Sequence, residues 1–378
     1  MAQGLFETLH ALQVMAQHQQ PGASKKLRLT NLAVHDLSII NFILASLSQH
    51  SFVKSLDMET IAMPDECLNR FMEGLSTTHL VLLRLVNMNI RNVSILTQTI
   101  QNSVTCRLRK LDLSWNHVGN QGAIVVANMI PHSNVEMVQL GRNDISDDGG
   151  IALARVFNHP NSNLKSLDLR MNALTDEFLR VVSEEIRNPN CIMCVLQLDE
   201  NAFTYEGFKL LIESVRFSSN LTTLFFARNH LNDQAMQLFA QELPHFQPNM
   251  KKICFNGNHI TPVGLNYIND AIKPIMIKLQ HFDFRENQAL TDESVTQLTE
   301  TLRVHPSMED FLLTPTDELL SQETIDNITR QLTISKSKDA KILLAMASVQ
   351  TIPRIGNQST LRVLPQEILR AVALMLIV

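Results

Sequence analysis

Seven segments of the chain repeat one arrangement of apolar and polar positions. RLRKLDLSWNHV, starting at Arg107, returns as NVEMVQLGRNDI, NLKSLDLRMNAL, IMCVLQLDENAF, NLTTLFFARNHL, NMKKICFNGNHI and KLQHFDFRENQAL. The template is L-x-x-L-x-L-x-x-N-x-L, and self-similarity at a fixed period marks stacked repeats. Its second apolar position falls at Leu27, Leu56, Leu83, Leu111, Val138, Leu167, Leu196, Leu224, Ile253, Phe282 and Phe311, in steps of 27 to 29 residues. The L-x-L segment alternates with period two and predicts a short strand with alternate side chains inward. The second half of each unit has helical spacing, as in residues 174–186, 231–243 and 290–302. In these, Thr175, Asn232 and Thr291 stand before an Asp, which predicts N-caps with acid in the first turn.

A strand, a turn and a helix in each unit predict an α/β solenoid. Parallel strands line the concave face, helices line the convex face, and there are about eleven repeats. The Asn after each strand recurs at Asn116, Asn143, Asn172, Asn201, Asn229, Asn258 and Asn287. A buried amide there satisfies turn backbone that neither helix nor sheet serves. Leu32, Ile61 and Met88 replace it in the first three units, which are degenerate as terminal repeats often are. The repeat domain is assigned to residues 25–316. Residues 1–24 are expected to form an N-terminal helical cap, and 317–378 a C-terminal helical cap or appendage.

Composition agrees with a long apolar core. Apolar residues make up 45% of the 378, yet aromatics only 5%, so Leu, Ile, Val and Met must fill it. The net charge of −5 argues against a nucleic-acid binder working through bulk charge. Five cysteines in a long chain do not suggest a disulfide framework. No secretory signal or membrane span is read, and a cytoplasmic protein is expected.

The 28- and 29-residue units, with L-x-x-L-x-L-x-x-N and a following L-x-D-x-G-x-x-x-L helix, resemble ribonuclease-inhibitor-type leucine-rich-repeat proteins. Gly149, Gly207 and Gly264 occupy the helix glycine of that pattern. The resemblance implies a protein-binding solenoid. It extends to secreted bacterial leucine-rich-repeat effectors, which would place the chain in the cytosol of a host cell.

Catalytic patterns are scarce: H-E-x-x-H, G-x-S-x-G and G-x-G-x-x-G are absent. The Cys191–Cys194 pair is read as packing thiols, since zinc requires four ligands. His132, His159 and His305 are read as solvated loop residues. No enzyme activity, cofactor or metal is expected. Function should then lie on the strand side, where register places the residue between the two strand leucines and the two after the second. Trp115, Met171 and Phe225 are apolar there, among Arg142, Arg170, Arg228, Asp168 and Asp199. Trp and Arg dominate protein interfaces, so these eight residues are the expected contact set for a protein partner of a monomeric module. Opposite charges on neighbouring strands pairing with one another are the competing expectation.

Two alternatives remain. LRVLPQEILRAVALM, residues 361–375, resembles the opening of an F-box, which implies a ubiquitin-ligase substrate adaptor. A loose similarity to the Ran GTPase-activating protein implies a regulator in which Arg142 or Arg170 stabilises transferring phosphoryl charge.

Overall fold

Every L-x-L segment that falls in the described part of the chain is a strand. The computed structural model describes residues 25–103, 106–246, 250–273, 281–287 and 310–312, together with 294, 297 and 301. The strands are β1 (Lys25–Thr30), β2 (Val53–Glu59), β3 (Leu82–Val86), β4 (Lys110–Asp112), β5 (Met137–Gln139), β6 (Ser166–Asp168), β7 (Val195–Gln197), β8 (Thr223–Phe225), β9 (Lys252–Cys254), β10 (His281–Asp283) and β11 (Asp310–Leu312). Between them lie α1 (Leu37–Gln49), α2 (Asp65–Gly74), α3 (Ser94–Asn102), α4 (Gly119–Met129), α5 (Asp147–Ala154), α6 (Asp176–Ile186), α7 (Tyr205–Val215), α8 (Asp233–Glu242) and α9 (Pro262–Ile272). The expected caps at 1–24 and 317–378, the F-box-like segment and most of the 290–302 helix lie outside the described residues.

The chain forms two compact units, one ending at Leu224 and one beginning at Phe225. In the first, β1 to β7 are parallel neighbours in chain order. Their register follows the repeat arithmetic: Leu27 pairs with Leu56, Leu56 with Leu83, Leu83 with Leu111, Leu111 with Val138, Val138 with Leu167, and Leu167 with Leu196. In the second, β9, β10 and β11 are parallel, with Ile253, Phe282 and Phe311 aligned. Parallel strands joined by one helix each form an open sheet with helices on its other side.

The core lies between the strand and helix layers. Leu56, Leu85, Leu113, Val138, Leu167 and Leu196 are buried from the strands, and Leu179, Val182 and Ile186 from α6. Each such side chain contributes about 1.5–3 kcal/mol by leaving water. Phenylalanines join successive repeats: Phe178 stacks on Phe203 with centroids 6.2 Å apart, and Phe239 meets Phe255 edge-on at 5.2 Å.

The recurrent Asn forms a buried ladder. The Asn116 Oδ1 accepts from the Met88 and Ile90 N–H groups at 3.0 Å each, and its Nδ2 donates to the Leu85 and Leu113 carbonyls at 2.8 Å. Asn172 does the same for Asn143 and Ile145. Asn258 serves Asn229 and Leu231, and Asn287 serves Asn258 and Ile260. Each amide closes its own turn and holds the preceding one. Every polar atom of the group finds a partner, which is what burial requires.

A second ladder links the helix starts. The Thr175, Thr204 and Asn232 side chains cap α6, α7 and α8, and Thr261 caps α9. Where an Asp opens the helix, in α5, α6 and α8, it reaches the Thr of the next repeat. Asp147 accepts from the Thr175 N–H at 2.9 Å, Asp176 from Thr204 at 2.9 Å, and Asp233 from Thr261 at 2.8 Å. The helix glycine makes room for this. A Cβ at Gly207 would lie 2.8 Å from the Asp176 Cα and overlap its carboxylate, and one at Gly264 would overlap Asp233. The D-x-G of the repeat is therefore one contact, shared between adjacent units.

Candidate functional site

The expected contact set divides between the two units. Trp115, Arg142, Asp168, Arg170, Met171 and Asp199 lie in the first, Phe225 and Arg228 in the second.

The turn that carries the exposed side chains is left-handed in each of the first ten repeats. The residue before each ladder Asn has positive φ: Trp115 at 61°, Arg142 at 55°, Met171 at 54°, Glu200 at 55°, Arg228 at 51° and Glu286 at 58°. Asn31, Thr60 and Asn87 continue the column, and Gly257, at 67°, is its one glycine. This conformation costs an ordinary L-residue about 1–2 kcal/mol. The Asn amide and the parallel ladder impose it, because the Trp115 N–H must reach the Gly141 carbonyl at 2.8 Å and the Arg142 N–H the Arg170 carbonyl at 2.8 Å.

Charges on the strand side are mostly spent on one another. The Asp57 carboxylate is buried beneath Lys26 at 2.8 Å, Arg84 at 2.9 Å and Arg28 at 3.6 Å, while Arg28 also reaches Glu59 at 2.7 Å. Arg84 goes on to Asp112 at 2.8 Å. Burial pushes the Asp57 carboxyl up, but Lys26, Arg84 and Arg28 together outweigh it and hold the group below the usual carboxylate range. The competing expectation of self-paired charge thus describes β1 to β4.

Asp168 belongs to the same class. Its side chain is 0% exposed, and its two oxygens take the Arg170 Nε at 3.0 Å and Nη2 at 2.7 Å. It therefore positions Arg170 and does not itself face a partner. The hydrogen bonds that Arg170 donates to Asp168 outweigh burial and push its guanidinium further up. Asp283 and Arg285 repeat this arrangement, with Arg285 Nη2 at 2.7 Å. Residues i and i+2 of a strand share a face, so D-x-R was the signal available in the sequence.

Arg142 differs. Its guanidinium lies over the Trp115 indole, 3.9 Å from the ring centroid. Trp115 is 46% exposed and Arg142 is exposed beside it. Among the described residues no carboxylate pairs with Arg142, whereas Arg28, Arg84, Arg170, Arg228 and Arg285 are all paired. Met171 follows in the same column, half-buried, and Asp199 is half-buried in the turn after β7. A Cβ at Gly141 would lie 3.4 Å from the Arg170 carbonyl oxygen and 3.5 Å from Asp168 Oδ1, so the glycine sits against the Asp168–Arg170 pair.

In the second unit, Arg228 reaches across a whole repeat to Glu286, with Nη2 at 2.9 Å and Nε at 3.1 Å. Gly257 lies beneath, and a Cβ there would overlap Arg228 Cγ. That explains the lone glycine of the column. Phe225 is half-buried.

The cysteine pair behaves as packing. Cys191 is buried, and the Cys194 thiol donates to the Ile192 carbonyl at 3.3 Å. Burial pushes both thiols up, away from the thiolate that a metal or redox site uses. His159 is exposed on a loop, as expected, whereas His132, also exposed, ends a short 3-10 turn (Ile130–His132); His305 lies outside the described residues. Among the described residues no cluster of three or more His, Cys, Asp or Glu is placed to hold a metal, and no helix is long and apolar enough to cross a membrane.

With that geometry in place, comparison defines the class. A family described as Leucine Rich repeat matches residues 106–127, 132–154 and 161–177. The matched segments are leucine-rich repeats, and the fold is an α/β solenoid of the leucine-rich-repeat kind. The fold is similar to a chain in the crystal structure of the Rad7 and Elc1 complex in yeast. That match has a TM-score of 0.54 and 14% identity, and it covers 79% of this chain and 71% of that one. A leiomodin-1 actin-binding site 2 structure overlaps at a TM-score of only 0.32, with 13% identity over 51% of this chain and 96% of that one, too low to bear on the fold. No curated protein matches the sequence significantly.

Proposed function

We propose that this chain is a non-catalytic protein-interaction module that receives a partner protein on the strand side of its first unit. Trp115 and Arg142 anchor the contact, Arg170 and Met171 flank it, and Asp199 lies at its edge. One observation carries this: the half-exposed Trp115 is stacked by an arginine whose charge no carboxylate of the described residues neutralises. A solvated sheet that had merely paired its charges, as β1 to β4 have, would not leave that group open. A rigid preformed platform lowers the ordering cost of binding.

The test is affinity capture from eukaryotic lysate, with wild type beside Trp115→Ala and matched thermal melts. Proteins retained only by wild type support the proposal. Identical capture by both removes Trp115 from the site. Phe225→Ala and Arg228→Ala test the second unit separately.

We also propose, second, an adaptor function through the F-box-like residues 361–375. The sequence LRVLPQEIL supports it, and the fold neighbour in yeast was solved in complex with Elc1. Deletion of 361–378 should then abolish contact with ligase subunits and leave the Trp115-dependent partner bound. Action as a delivered bacterial effector in a host cytosol is supported by the sequence resemblance alone. The same holds for GTPase activation by Arg142 or Arg170, for which an Arg142→Ala, Arg170→Ala hydrolysis assay is the test.

A further inference from the structure

We infer that the Trp115–Arg142 platform reads a carboxylate: the partner presents an Asp or Glu side chain, next to an apolar one, to the Arg142 guanidinium. This rests on the strand-side binding proposed above and goes beyond it in naming the chemistry received. The Arg142 Cζ lies over the indole, 3.9 Å from the ring centroid, which restricts where the guanidinium can sit. A guanidinium presents its N–H donors at its rim, in a fork that matches the two oxygens of a carboxylate. No side-chain donor of Arg142 is used by an acceptor among the described residues, and no ion pair engages it. It is also held by a left-handed backbone at φ 55°, which fixes where the side chain starts.

Pairing, and not net charge, points to the anion. On this part of the strand side Arg84 is paired with Asp57 and Asp112, and Arg170 with Asp168. Arg142 is the arginine left without a carboxylate among the described residues. One charge suits a monoanionic carboxylate. A phosphate carries close to two negative charges and is ordinarily held by a cluster of arginines. The exposed indole edge and the half-buried Met171 supply apolar surface beside the fork. An acidic residue followed or preceded by Leu, Ile or Phe fills both.

The full chain is immobilised and panned with a random twelve-residue phage-displayed peptide library, in parallel with Trp115→Ala, Arg142→Gln and Arg142→Lys. Thermal melts confirm that each variant folds. Selected peptides are then synthesised with Glu, Gln or phosphoserine at the acidic position. They are titrated by the emission of Trp115, the only tryptophan in the chain. The expected result is enrichment of Asp or Glu beside an apolar residue. Replacing Glu by Gln should weaken binding about tenfold, the scale of one charge-assisted contact at a partly exposed site. Arg142→Gln should erase that Glu preference, and Arg142→Lys should restore only part of it. Peptides that need Trp115 but show no acidic preference overturn the carboxylate and leave the binding surface standing. Tighter binding of the phosphoserine peptide overturns it too. Peptides that bind Trp115→Ala as well as wild type, or no selectable peptide at all, overturn the carboxylate and count against the surface itself.

Discussion

Replacing Asn116 with Ala is expected to open two repeats at once. Its Oδ1 accepts from the Met88 and Ile90 N–H groups at 3.0 Å each, and its Nδ2 donates to Leu85, Leu113 and Ser114 carbonyls at 2.8, 2.8 and 3.2 Å. The site is buried, at 3% exposure. Alanine would leave two N–H groups without an acceptor, and each orphaned donor costs about 1–3 kcal/mol. The carbonyls have second lone pairs and lose less. A loss of about 3 kcal/mol follows, which is roughly a hundredfold in a local opening equilibrium. Repeat proteins open locally between neighbours, so a global melt would dilute the signal. Native-state hydrogen exchange reads it directly. The Met88 and Ile90 amides should lose protection about a hundredfold, while those of α6 and β7 keep theirs. Protection of Met88 and Ile90 within threefold of wild type would refute the reasoning. It would mean that water or a relaxed turn replaces the amide without cost.

Other consequences can be measured by denaturation. Gly207→Ala should destabilise by about 2 kcal/mol, because the new methyl overlaps the Asp176 carboxylate. Adding Asp176→Ala should cost less than the sum of the two single changes, so a strictly additive cycle would contradict the shared contact. Thr60→Asn should raise Tm by roughly 2 °C, since Thr60 sits at φ 56° and a β-branched residue is poorly suited to that region; a lower Tm would contradict it. Asp57 is held below its ordinary value of 3.8, so its ionised form favours the folded state. Its contribution is present above that value and is lost as pH falls through the lower folded value. Asp57→Asn should therefore lower stability at pH 7 and flatten the acid limb; an unchanged limb in urea titrations at pH 2 to 5 would contradict this.

Much of the fold was legible because the repeat carries both periods. The spacing of Leu27 to Phe311 predicted which residues would pair, and β1 to β7 and β9 to β11 pair in that register. The ladder role of the Asn was readable because a buried amide in a turn has few other uses. The left-handed column was not read, although Asn31, Asn87 and Gly257 favour that conformation and share it. Periodicity also overstated the surface. It placed Asp168 on the strand side without showing that Arg170, two residues on, folds back over it. Whether a charge faces solvent or its neighbour depends on side-chain reach, which a one-dimensional pattern does not encode. The stacking of Arg142 on Trp115 was hidden for the same reason, because these residues are neighbours only across the sheet.

The most direct test of the interaction surface is site-specific photo-crosslinking in the full chain. p-Benzoylphenylalanine replaces Met171, which flanks the anchor pair, in one sample and Phe42, an exposed residue of α1, in another. Both are irradiated in lysate and resolved by mass spectrometry. A discrete adduct from position 171, absent from position 42 and suppressed by Trp115→Ala, is the result predicted. Equal labelling from both positions, or none from 171, would contradict the claim that the strand side around Trp115 is where a partner binds.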